Sequence, residues 1–479
     1  MQKEDLLTLA NEIIQYNCEM QNVEVKSANM GCPTKLFDTL SSFSNQDGGG
    51  TIIFGLDEKQ KFKIVGVYDP QDLMHKIAEQ CKQMQPNVRP LFTVAEFEDK
   101  MIVSAEVPGI DVADRPCYYK GAGRVKGSFI RVGEADELMS DYEIYSYDAY
   151  HRRIRDDNRP SENADVSCFD HQLILRYISM VKENKPNLSN LPDDEILNLL
   201  GIVKNSIPTL AGVLCFSKYP QAFFPQLCIT AVVVPGTELG ETGTEGERFI
   251  ANKRIEGTIG QMLEEAMVFI RRNMRVKTIV NDEGKRADKD EYPLTAVRET
   301  ILNALMHRDY SIHTEGTPVR ILMYYDRLEI INTGGLYGKL TLDGLGKIHA
   351  DTRNHTLTNI LEILKIAENR YSGIPTIRRE MKNYKLPQPI FENKRGTFIV
   401  TLKNSIANEV SIQQTGDLKL DLINFCKTPR SRDEIAKFIG KTQYYVLKTI
   451  VNPLIDEGRL RMTIPKTPKS RSQKYVAVE

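Results

Sequence analysis

Apolar and polar positions along the first 150 residues alternate in short bursts. The runs VEVKSA, GGTIIFGLD, KFKIVGVY, MIVSAEVPG and GSFIRVG are bounded by Gly, Asp or Pro, a pattern that predicts strands. The opening MQKEDLLTLANEIIQYN and the segment LFDTLSSFSN repeat their apolar residues at helical spacing. Residues 1–150 therefore read as an α+β unit. HRRIRDDNRPSENAD follows, with charge, Pro and Asn but almost no apolar residue, and reads as a linker at about 150–165.

From 166 to 404 the pattern predicts a second α/β unit. It contains strands AGVLCF and LCITAVVVPG, a long helix from Phe249 to Val276, a polar break NDEGKRADKDE, and a helix from about Leu294 to His307. The hairpin-like pair VRILMYYD and RLEIINTGG follows. ANEVSIQQTG near 407–416 ends the unit.

The remaining 417–479 is small. Leu418, Leu422, Ile423 and Phe425 form one helical face, and Ile435, Ala436, Phe438 and Ile439 a second. Ser431 three residues before Glu434 is a capping box, Gly440 a helix stop. A third helix is expected from Thr442, carrying Val446, Leu447, Ile450, Val451 and Leu454 inward, with a bend or break at Pro453. RLRMTIPKTPKSRSQKYVAV then alternates and turns like a two-stranded wing. Three short helices and a wing are the winged helix-turn-helix plan.

At 479 residues the chain exceeds what a single core sustains, about 250–300 residues, which favours three domains: 1–150, 166–404 and 417–479. A hydrophobic content of 41% and a charged content of 27% exclude a disordered or membrane class. No run approaches the roughly 20 apolar residues of a membrane span. The eight cysteines are scattered without a CxxC pair, as expected of reduced thiols in a cytoplasmic protein. The net charge of -1 hides a local excess: residues 417–479 carry thirteen Lys and Arg against seven Asp and Glu. That is the footprint of a double-stranded DNA partner. Thr442, Gln443, Tyr444 and Lys448 at the start of the third helix are the candidate base readers, and Lys469 and Arg471 the wing's phosphate contacts. A homodimer is expected, since winged regulators usually meet paired half-sites.

Glu299, Asn303 and His307 stand four residues apart on one helical face. Three such groups are costly to bury unpaired, so they are expected to face a site. A Glu and an Asn one turn apart can hold a water and a Mg²⁺ against a nucleotide phosphate, with the Glu as base. Nearer the N-terminus, Glu24 and Lys26 share one strand face. Lys120, Arg124, Lys126 and Arg131, around KGAGRVKGSFIRVG, offer a basic patch for a nucleic-acid backbone, or an ordinary solvated hairpin.

RETILNALMHRDYS, VRILMYYDRLEIINTGGL, DTRNHTLTNIL, RYSGIPTIRREM and LPQPIFENKRGTFIVTL together resemble the GHKL ATPase-like domain of bacterial RecG-related transcriptional regulators. NCEMQNVEVKSA and TLSSFSNQDGGGTIIFGLDE resemble the Schlafen AlbA-like domain with which those proteins begin; many end in a winged helix. The resemblance implies an α+β multi-domain chain with a GHKL-like sandwich at its centre, binding ATP and Mg²⁺. It places Glu299 at the base position and Asn303 at the Mg²⁺ ligand, and it makes Gly334, Gly335 and Gly373 the glycines that admit a nucleotide. Asn332 stands where the family has an adenine-reading Asp, and Tyr371 where relatives have Gly. In Schlafen nucleases an ExxxxExK spacing with a distant Asp holds metal for RNA cleavage, and Glu19, Glu24, Lys26 and Asp57 reproduce it. The alternatives are a metal-dependent nuclease acting on RNA or DNA and, for Glu24 and Lys26, a plain strand-edge ion pair. A helicase motor is excluded, because no GxxxxGK[ST] phosphate loop occurs.

Overall fold

The computed structural model describes all residues except 244–245, 281–285, 349–350, 368–371, 406–417, 427–429, 440–445, 464–472 and 479. Near the N-terminus a four-stranded sheet runs in the order Val23–Lys26, Gly50–Phe54, Lys100–Val107, Leu91–Phe97. The first pair is parallel and the others antiparallel. Both faces are covered, and period-two alternation sorts the side chains. Ile52 and Phe54 pack with Leu40, Phe43 and Ile77 of the helices Phe37–Asn45 and Pro70–Lys82. Ile53, Val23 and Val25 pack with Leu6, Ala10 and Ile13 of the helix Lys3–Tyr16. The strand Leu91–Phe97 escapes the sequence pattern.

The stretch read as a linker is docked. Asp157 is fully buried, and its Oδ2 accepts the Leu357 N–H at 2.9 Å. Asp156 accepts the Tyr145 hydroxyl at 2.9 Å, and Arg159 O accepts the Leu210 N–H. Asp156 and Asp157 are partnered inward while Arg152, Arg153, Arg155 and Glu162 stay exposed, a division that a count of apolar residues does not register.

The central unit is built on a six-stranded sheet in the order Ala251–Ile255, Ile229–Val233, Val319–Met323, Arg327–Thr333, Thr397–Lys403, Ile390–Lys394. Helices Ile259–Asn273 and Leu294–Met306 share its core. AGVLCF is a buried helix, Leu210–Phe216, not a strand; Thr209 Oγ1 caps it by accepting the Gly212 N–H at 3.1 Å. A seven-residue apolar run does not separate the two by periodicity, and the cap decides. The expected helix from Phe249 is first an edge strand, Ala251–Ile255, and becomes helical only after the Thr258/Gln261 capping box. The described part of the polar break includes a strand, Arg286–Asp290, paired antiparallel with Val276–Val280.

At the C-terminal end, helices Leu418–Phe425 and Arg432–Ile439 and a short segment Asn452–Asp456 surround Leu422, Ile435, Val446, Ile450 and Leu454. They pack with Leu460 and Tyr475 of a three-stranded sheet ordered Arg430–Ser431, Lys474–Ala477, Leu460–Met462. The Ser431/Glu434 box forms: Ser431 N–H donates to Glu434 Oε2 at 2.6 Å, and Glu434 N–H to Ser431 Oγ at 3.3 Å. Before Pro453 the chain makes a π-helical turn, Leu447–Val451, and the α-helix restarts with Pro453 in its first turn, where a missing N–H costs nothing. Among the described residues, no helix is long and apolar enough to cross a membrane.

Candidate functional site

A cavity of about 320 Å³ opens beside the helix Leu294–Met306. That helix buries Val297, Ile301 and Leu305 against the sheet, which turns Glu299 and Asn303 to the cavity. His307 follows as the C-terminal cap residue, its N–H donating to Asn303 O at 2.9 Å. Strand Arg327–Thr333 contributes Ile330 and Asn332, strand Thr397–Lys403 contributes Phe398 and Val400, and helix Gly373–Asn383 contributes Gly373, Ile374 and Ile377. The structure thus brings Glu299, Asn303, His307, Asn332, Gly334, Gly335 and Gly373 to one enclosure.

Besides Arg353 Nη1, which is ion-paired with Asp309, two polar atoms of its lining are buried without a hydrogen-bond partner among the described residues, Asn303 Nδ2 and Asn332 Oδ1. Such groups cost roughly 1–3 kcal/mol each when unsatisfied, which favours a ligand with complementary groups. Asn303 presents a donor there, suited to an anionic oxygen; a cation would need its Oδ1. His307 lines the cavity and is exposed there; burial by the surrounding protein, then the Arg353 charge, lowers its pKa. It is neutral at pH 7.

The glycines accommodate neighbouring side chains. Gly334 has φ +101°, and a Cβ there would stand 2.7 Å from Arg353 Nη1. At Gly335 the obstacle is Asn393 Oδ1, 2.6 Å away. Arg353, which the sequence reading passed over, lines the cavity and pairs with Asp309 Oδ2 at 2.8 Å. Its neighbour Asn354 donates Nδ2 to Met306 O at 2.9 Å and Arg308 O at 2.7 Å, holding carbonyls at the end of the Glu299 helix. The available signal was polar DTRN directly before the apolar helix His355–Ile363.

The N-terminal carboxylates meet an arginine. Arg131, expected on an exposed basic face, has a side chain only 1% exposed. Its Nη1 lies 2.9 Å from Glu24 Oε2 and 3.0 Å from Asp136 Oδ1, and its Nη2 3.6 Å from Glu19 Oε2. Lys26 pairs with Glu24, the strand-edge alternative. Asp57 serves elsewhere, accepting Lys59 N–H at 3.1 Å and Gln60 Nε2 at 2.7 Å. Among the described residues no group of three His, Cys, Asp or Glu is placed to hold a metal ion. Burial, then the Glu24 charge, raises the Glu19 carboxyl to about 7. In the remaining basic patch, Arg124 pairs with Asp148 at 2.6 Å, Lys120 donates to Lys82 O at 3.0 Å, and Lys126 is exposed. The glycine-rich turn forms a short helix, Gly123–Gly127. Thr442, Gln443, Tyr444, Lys469, Arg471, the side chain of Lys448, and Tyr371 lie outside the described residues.

Three family models match the chain. One, described as "Putative ATP-dependent DNA helicase recG C-terminal", covers residues 316–402; this includes Asn332, Gly334, Gly335 and Gly373 and begins after Glu299 and Asn303. The Schlafen AlbA_2 model covers 19–140, and a domain of unknown function covers 148–230. No curated protein matches. Among solved structures, the DIP2311 protein of Corynebacterium diphtheriae is 17% identical, with 95% of this chain and 93% of that one covered at a TM-score of 0.40. The N-terminal domain of a "Putative ATP-dependent DNA Helicase RecG-related Protein" from Nitrosomonas europaea is 25% identical, with 28% of this chain and 95% of that one covered at a TM-score of 0.23.

Proposed function

We propose that the chain is a cytoplasmic, DNA-binding transcriptional regulator whose central cavity binds an adenine nucleotide. The observation that carries this reading is the convergence of Glu299, Asn303, His307 and Asn332 on one cavity with two buried polar atoms left for a ligand. Its volume of about 320 Å³ is at the lower end of small-molecule sites, about 300–1,000 Å³. Asn332 Oδ1 can accept from the exocyclic amine of a purine, Asn303 Nδ2 can donate to a phosphate oxygen, and neutral His307 adds a further donor or acceptor. ATP with Mg²⁺ would supply a cleavable phosphoanhydride, and Glu299 is then the general base.

We divide the chain into an AlbA-like unit at 1–150, a GHKL-like unit at 166–404 and a winged helix-turn-helix at 417–479. Helices packed on a three-stranded sheet and the local positive excess support DNA binding by the last, in a homodimer that meets paired half-sites. The nuclease alternative is weaker, because the Arg131 guanidinium stands among the carboxylates where a metal would need to be. Isothermal titration of ATP with Mg²⁺ into wild type and Asn303→Ala tests the central claim. Heat from wild type and a loss of at least tenfold in affinity in the variant are expected; no heat from wild type overturns it.

A further inference from the structure

Arg353 is 6% exposed, lines the cavity, and is poorly satisfied. Its Nη1 forms an ion pair with Asp309 Oδ2 at 2.8 Å that lies off the line of its N–H bonds, and its Nη2 reaches Gly335 O only at 3.4 Å. A guanidinium has five N–H donors, and these two contacts leave part of that capacity for a ligand. The cation beside Tyr337, facing an otherwise largely apolar wall, suits a phosphate oxygen, which the planar fork can take in a bidentate manner.

Asp309 is shared. The oxygen that pairs with Arg353 also accepts the Tyr142 hydroxyl at 2.8 Å, while Oδ1 accepts the Ser311 N–H at 2.8 Å. Tyr142 belongs to the helix Asp141–His151, at the end of the AlbA-like unit. One carboxylate oxygen therefore joins a cavity cation to an element of the preceding unit.

We propose that Arg353 receives the anionic end of the cavity's ligand, and that the chain Arg353–Asp309–Tyr142 transmits occupancy to the helix Asp141–His151. The inference rests on the nucleotide reading and specifies how that site is regulated. A phosphate that completes the hydrogen bonds of Arg353 fixes its position, and through Asp309 that of Tyr142. Occupancy becomes rigidity in the neighbouring unit, a coupling carried by a continuous polar contact.

The test uses the full chain, with ATP and, as a phosphate-free probe, adenosine. In wild type, ATP slows amide exchange across 141–151 and adenosine does not. Arg353→Gln weakens ATP binding at least tenfold, and Arg353→Lys, which keeps the charge, less. Tyr142→Phe, outside the cavity, binds ATP within about threefold of wild type but loses the slowing. Amide protection of the six-stranded sheet reports whether each variant is folded; should Arg353→Gln not fold, the Tyr142→Phe comparison decides. Wild-type affinity in folded Arg353→Gln, or equal slowing in Tyr142→Phe, overturns the coupling while leaving nucleotide binding intact. Absence of ATP binding in wild type overturns both.

Discussion

A Cβ on Gly373 would lie 2.9 Å from Asn303 Nδ2 and 3.2 Å from Glu299 Oε2, so the start of one helix is pressed against the polar face of another. Gly373→Ala gains up to about 1 kcal/mol of helix propensity and must displace the two side chains that face the cavity. The expected outcome is a folded protein, within about 1 kcal/mol of wild type in urea denaturation, whose ATP affinity is at least tenfold lower. Unchanged affinity would show that the placement of Asn303 and Glu299 does not matter to the ligand.

Glu19 gives a pH signature. Its carboxyl is raised from 4.5 to about 7, so folding favours its protonated form. The associated stability is complete below pH 4.5 and is lost as pH rises through about 7. Solvent screening of this half-buried carboxyl keeps the effect below the full linkage value. Glu19→Gln should match wild type at pH 4.5 and exceed it at pH 8, read by chemical denaturation at the two values. A variant less stable than wild type at pH 8 would mean that the ion pair with Arg131 outweighs the burial of charge.

Arg131 among Glu19, Glu24 and Asp136 predicts no metal-dependent cleavage. Wild type and Glu24→Ala should both leave labelled RNA and DNA intact in Mn²⁺ on a gel. Product from wild type that vanishes in the variant would restore the nuclease reading.

For the basic C-terminal unit, the salt dependence of duplex binding is the discriminating measurement. Replacing both Lys469 and Arg471 with Ala should lower the slope of log affinity against log salt by up to about 2, since each phosphate contact contributes about 0.9. It should do so equally for all sequences. Full-length protein without salt-sensitive affinity for any duplex would sink the regulator assignment.

Legibility in the sequence followed the range of the interaction. The helix Leu294–Met306 and the capping box at Ser431 were readable because their signals lie within one or two turns. The helix Leu210–Phe216 was misread because a short apolar run satisfies both periods, and Thr209 was the overlooked arbiter. Residues 150–165 looked like a tether because the partners that bury Asp157, such as the Leu357 N–H, are some 200 residues away.

By itself the sequence determined that Glu299, Asn303 and His307 share a face, since helical geometry allows nothing else at that spacing. It also concentrated positive charge in 417–479. Tertiary structure alone decided that Arg353 joins Asn332 and Gly373 at the cavity, and that Arg131 is turned inward to the carboxylates. Those outcomes depend on contacts between distant segments, and whether a charge faces water or a buried partner is set only when the chain has packed.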